Sequence, residues 1–146
     1  MINKIVRGVA AKLHDAFGDG YLIHQNDIRQ GLEPPCFLIT TVGPSLDPQP
    51  NGLRLLTVPL DISYFPSDSG DNEDMEQVGF TAMLAAELIP WDESRKLRGL
   101  RRSTEIVDGV LHISVTYEVL IVDVAVIDPM EILDLQIHLR DSSRKE

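Results

Sequence analysis

Cysteine is almost missing from this chain: Cys36 is the only one among 146 residues. An intramolecular disulfide is excluded, and so is a thiolate cluster for metal. Beside Phe37, Leu38 and Ile39, Cys36 reads as a small buried hydrophobe; a reactive thiol would need an electropositive, part-exposed setting. Long apolar runs are missing too, since none approaches the roughly 18 residues needed to span a bilayer. Met1 to Arg7 carries charge and falls into helical spacing, without an apolar h-region or a small-residue cleavage site. A soluble cytoplasmic protein is therefore expected. Positive charge is scarce: 13 Lys and Arg stand against 23 Asp and Glu, for a net charge of −10. Such a surface repels phosphates, so no sequence-specific nucleic-acid binding is expected.

The signatures of catalysis and of ligand binding are missing as well. There is no Gly-x-Gly-x-x-Gly, no Gly-x-x-x-x-Gly-Lys-Ser/Thr and no Gly-x-Ser-x-Gly. Ser67 and Ser103 have no local partner that would mark a nucleophile. The four histidines, His14, His24, His112 and His138, fall on separate elements and make no metal-spaced pair. Only His112 and His138, on polar faces of two strands, could approach one another. With so many carboxylates, any single pair carries no information without geometry. Neither enzymatic activity nor a cofactor nor a metal is expected.

What is present is periodicity. Ile2, Ile5, Val6, Val9, Leu13 and Phe17 recur at helical spacing, so a helix is predicted from Ile2 to Phe17, with Gly18 ending it. A short strand, Tyr21 to His24, leads into a polar loop from Gln25 to Pro35, and Cys36 to Val42 is rich in β-formers. Pro44 to Gly52 holds three prolines and ends in Asn51-Gly52, a hairpin signal that suggests a protruding tip. Leu56, Val58, Leu60, Ile62 and Tyr64 alternate with polar residues, predicting a half-buried strand from Leu53 to Phe65. Pro59 within it argues for an edge position or a bulge.

The acidic stretch Ser67 to Asp74 reads as the start of a second helix, built on Met75, Val78, Ala82, Ala85, Ala86 and Ile89 and ended by Pro90. A calcium loop would compete for these oxygens, but no glutamate stands twelfth from Asp68 or Asp71. After a loop from Trp91 to Lys96, Leu97 to Val107 is predicted as one strand. Asp108-Gly109 is a type I′ turn signal. The return strand shows Leu111, Ile113, Val115, Tyr117, Val119 and Ile121 on one face. From Leu120 to Ile127 both faces become apolar, so a helix or a partner subunit should cover this end. After Asp128-Pro129, Leu133, Leu135, Ile137 and Leu139 alternate as a last strand. The predicted order α-β-β-β-α-β-β-β fits a single α+β domain, a mainly antiparallel sheet with two helices on one face.

Six phrases taken in order carry a resemblance. They are Met1-Ile2-Asn3-Lys4-Ile5, Phe17-Gly18-Asp19-Gly20-Tyr21 and the Gln30 to Phe37 stretch with its Pro34-Pro35 pair. Ile62-Ser63-Tyr64-Phe65-Pro66, Val107-Asp108-Gly109-Val110-Leu111 and Asp128-Pro129-Met130-Glu131 complete the set. Across nearly the whole chain this pattern resembles the tail terminator proteins of prophages and defective phage particles. The resemblance implies one tail-terminator-like domain over residues 1–140 with a polar tail at 141–146. It also implies a homo-oligomeric ring, a hexamer, on the head-proximal end of the tail tube. That ring would stop tube growth and join tail to head, with the tube protein and a head–tail connector as partners and no membrane involved. Its place would be the virion tail, after assembly in the host cytoplasm.

Candidate contact residues follow from the chain's exposed features. Pro48, Pro50 and Asn51 lie at the hairpin tip, and Leu120, Val122 and Val124 in the doubly apolar segment. Arg98, Arg101 and Arg102 form a basic cluster that could face an acidic patch on a neighbour. Solvated loop charge is the plainer reading of that cluster. The overall acidity would keep a small protein soluble, and an acidic lumen would not hold passing DNA. Two alternatives compete with the terminator reading: another head–tail connector or completion protein, and a small cytoplasmic ligand-binding domain.

Overall fold

The computed structural model describes residues 1–25, 33–67 and 72–122. Helix α1 runs from Ile2 to Phe17, as its spacing predicts, and buries Ile5, Val6, Val9 and Leu13. It stops at Gly18, whose positive φ of 81° suits a residue without Cβ, and whose N–H donates to the His14 carbonyl at 2.8 Å. Strand β1 (Leu22–Gln25) starts one residue later than predicted and pairs in parallel with β2 (Cys36–Thr41). Beyond β2, the strand β3 (Ser45–Pro48) and the long β4 (Leu53–Phe65) form a hairpin. A 3-10 turn at Pro50–Gly52 makes its tip.

The Pro44 to Gly52 stretch is thus more than the loop its prolines suggest, because four of its residues pair with β4. Pro59 does not lie on an edge. β4 is central, with β2 and β3 on one flank and β8 (Val110–Val122) on the other. Thr41 pairs with Leu60 and Ser45 with Thr57, so three residues on one side stand opposite two on the other. The expected irregularity is therefore a bulge in the neighbouring strand, at Val42 to Pro44. The Pro59 carbonyl still accepts from the Val42 N–H at 2.9 Å. The donor that proline lacks would face the bulge, where no ladder bond is lost.

Helix α2 (Asn72–Ala85) begins with Glu73 and Asp74 in its first turn, in keeping with the acidic stretch being a helix start. It ends at Ala85, earlier than Pro90 suggests. Leu88–Pro90 is a short strand, β5, paired with β6 (Lys96–Arg98). Gly99 divides β6 from β7 (Leu100–Val107), so the predicted strand Leu97 to Val107 is two. A Cβ at Gly99 would lie 2.4 Å from the Ala86 carbonyl oxygen and 2.7 Å from Val115 Cγ2, and only glycine lets the chain pass there. The β7–β8 register shifts between Leu100 and Ser103, where Arg101 takes a φ of 52°. Asp108 and Gly109 both have positive φ, as a type I′ turn requires.

The main sheet runs β1-β2-β4-β8-β7, and the fold is α+β with a mixed, mainly antiparallel sheet. The predicted alternation places Val58, Leu60, Ile62, Leu111, Ile113, Val115 and Tyr117 on one face, where both helices pack on them. Four aromatic rings tie the end of α1 to the sheet, with Phe37 4.9 Å from Phe17 and 5.0 Å from Tyr64 between centroids. The Tyr117 hydroxyl, fully buried, donates to the Ala86 carbonyl at 2.7 Å and anchors the end of α2. Cys36 is buried as expected, and burial pushes its thiol pKa up. The predicted strand around Leu133 to Leu139, the Asp128-Pro129 break, Val124 and His138 lie outside the described residues.

Candidate assembly surface

The registers bring together contact candidates that are some seventy residues apart in the chain. Pro48 pairs with Arg54 and Arg54 with Ile121, while Leu53 pairs with Val122. Pro48, Pro50, Asn51, Leu120 and Val122 therefore share one end of the sheet. β3 is exposed along its whole length there, and Leu46 on it is 52% exposed. Leu120 is 51% exposed, on the face turned away from the helices together with its pair partner Leu55. Apolar side chains left open at a sheet end mark a surface suited to protein contact.

The arginines divide. Arg102 is drawn into the structure: its guanidinium donates to the Met83 carbonyl at 2.7 Å, near the carbonyl end of α2, and lies 3.5 Å from Glu87. Arg98 and Arg101 stay exposed, 3.5 Å from Glu87 and 3.8 Å from Glu118 respectively. Much of the local positive charge is thus answered within the chain. Arg101 borders the β8 end through Glu118, whereas Arg98 lies beside β5.

Sequence reasoning missed a second surface. Phe80 and Leu84, one turn apart on α2, are 56% and 54% exposed, and Leu88 continues the line onto β5. The signal was available: Phe80 and Leu84 fall outside the buried stripe of Met75, Ala82 and Ala86, leaving a helix apolar on two sides.

One group resembles catalytic chemistry. On the sheet face turned away from the helices the Ser63 hydroxyl donates to Asp61 Oδ2 at 2.8 Å, and His112 Nδ1 lies 3.1 Å from the same oxygen. A Ser-His-Asp relay needs the carboxylate on one ring nitrogen and the hydroxyl on the other. Here Ser63 Oγ and Asp61 both face Nδ1, with Ser63 at 3.3 Å, and the serine proton is committed to the carboxylate. The arrangement is a polar tie between β4 and β8. Among the described residues no group of three or more His, Cys, Asp or Glu is placed to hold a metal ion. Nor is any described helix long and apolar enough to cross a membrane.

The described residues thus combine a mixed, mainly antiparallel sheet with exposed apolar side chains at one sheet end and along α2. Residues 4–129 match the family model of the phage tail terminator protein, and the chain belongs to that family. Its role is accordingly that of a structural component of the phage tail. No curated protein matches the sequence.

Proposed function

We propose that this protein forms a ring, a hexamer, that caps the head-proximal end of the tail tube, ends its polymerisation and presents a surface to the head connector. The observation that carries the reading is the match to the tail terminator family over residues 4–129. The convergence of Pro48, Asn51, Leu120 and Val122 at one sheet end supports it, because a contact joining unlike surfaces closes into a ring when its rotation permits. The α2 line of Phe80 and Leu84 offers a second, different surface for such a contact. The protein works by binding copies of itself, the tube protein and the connector, and carries out no reaction. It assembles in the host cytoplasm and remains in the virion tail.

The test is polymerisation of the tube protein with and without this chain, with lengths read by electron microscopy and the oligomer mass by light scattering. Bounded tubes and a mass near six copies of 16.3 kDa are expected. Tubes of unchanged length with no protein at their ends would overturn the proposal.

A further inference from the structure

The two helices carry opposite charge in a chain that is strongly acidic overall. α1 holds Lys4, Arg7 and Lys12 against Asp15 alone, whereas α2 holds Glu73, Asp74 and Glu76 and no basic residue. Their exposed positions line up. Lys4, Arg7 and Ala11 recur at helical spacing on the outer face of α1, and Glu73, Glu76, Phe80 and Leu84 do so on that of α2. One stripe is basic around a small residue. The other is acidic and continues as an aromatic ring and a leucine, 56% and 54% exposed. The helices touch one another within the chain, yet among the described residues neither Arg7 nor Glu76 has an ion-pair partner.

Topology sets where the stripes lie. α1 packs on β1 and β2, toward one edge of the main sheet, and α2 on β8 and β7, toward the other. A contact between them therefore joins unlike flanks of two copies, and such a contact runs head to tail until its rotation closes it. Complementary charge selects the partner and its orientation, while a buried aromatic anchor supplies affinity. Arg7 suits both tasks, because a guanidinium pairs with a carboxylate and also stacks on an aromatic face. Ala11, one turn further along, leaves room for the Phe80 ring. We propose that α2 of one copy docks on α1 of the next, as part of the contact that builds the ring. Phe80 and Leu84 lie against the stripe of Lys4, Arg7 and Ala11, and Glu76 answers Arg7. This docking rests on the ring reading and names the surfaces that would build it.

Sedimentation equilibrium of the full chain tests the docking in the wild type, Arg7→Glu, Glu76→Arg, the double variant, and an equimolar mixture of the two single variants. Both residues are exposed, so each variant should melt within a few degrees of the wild type. Each single variant sets like charges against one another and should weaken association at least about tenfold. The double variant restores opposite charges at every contact. So does the mixture, in which the two single variants alternate round an even-numbered ring. Both should return to within about threefold of the wild type. Should Arg7→Glu fail to fold, Lys4→Glu takes its place; should Glu76→Arg fail, Glu73→Arg does. A double variant and a mixture no better than the single variants would overturn the proposal. So would a wild-type chain that stays monomeric up to about 1 mM. Six-copy assemblies formed equally well by the wild type and both single variants would overturn this docking and leave the ring standing, so the two failures read differently.

Discussion

Gly99 and Tyr117 both meet the Ala86 carbonyl: a Cβ on the first would strike it, and the hydroxyl of the second bonds to it. Gly99→Ala should therefore cost about 3 kcal/mol, at the upper end of the range for overpacking, because the atoms it meets include backbone. Urea unfolding would show it as a lower midpoint at unchanged slope. The tyrosines allow a pH experiment. Burial, followed by Tyr21 nearby, raises the Tyr64 pKa to about 12, and burial raises that of Tyr117 further, from a usual value of 10. A phenol whose folded pKa is raised keeps its proton longer than the unfolded chain does. The contribution of these two phenols to stability is therefore constant below pH 10 and falls as pH rises above it. Absorbance at 295 nm should show Tyr64 and Tyr117 ionising only together with loss of the near-ultraviolet circular dichroism. Ionisation of Tyr64 and Tyr117 near pH 10 with the fold intact would refute this.

Among the elements, the β7–β8 hairpin depends on a turn that most residues cannot adopt. Gly109→Ala should cost about 1–2 kcal/mol, the usual cost of placing a Cβ in the left-handed region, and a thermal melt would measure it. This turn was legible in the sequence because its cause is local: Asp108-Gly109 meets the steric demand by itself. The same is true of Gly18 after α1 and of the alternation along β4 and β8. The elements that were not legible are held by partners. Leu88–Pro90 is too short to show a period, and only β6 beside it makes it a strand. Pro59 has its meaning from the bulge across from it, which no reading of β4 alone contains. Pro48 and Asn51 stand out as a hairpin tip and Leu120 and Val122 as an apolar segment, and only the register reveals that the two share an end. The α2 line of Phe80 and Leu84 went unread because the helix also had a buried stripe to explain its apolar residues.

For the whole molecule, the exposed apolar side chains separate stability from assembly. Leu120 is half exposed, so Leu120→Asp should leave the melting temperature of the monomer within a few degrees while abolishing the proposed ring, as should Phe80→Asp if α2 supplies the second surface. Light scattering and a thermal melt on the same samples distinguish the two effects. A fully assembled Leu120→Asp protein would remove the sheet end from the contact. Basic residues at the candidate surface are partly neutralised by Glu87 and Glu118, so apolar burial should dominate, and the assembled mass should change little between low and moderate salt.

The hairpin of β3 and β4 has a consequence for how such chains diverge. Its tip at Pro50 to Gly52 is exposed, and β3 buries nothing. Adding one residue to each of its two strands moves the tip outward while every existing side chain keeps its face, because the period is two. Adding one residue to β4 alone turns Leu56 and its neighbours over and exposes the core. Among relatives that share this sheet, a residue added to or lost from β4 near the tip should therefore be matched by one in β3, and the reach of the tip should change in steps of one paired rung.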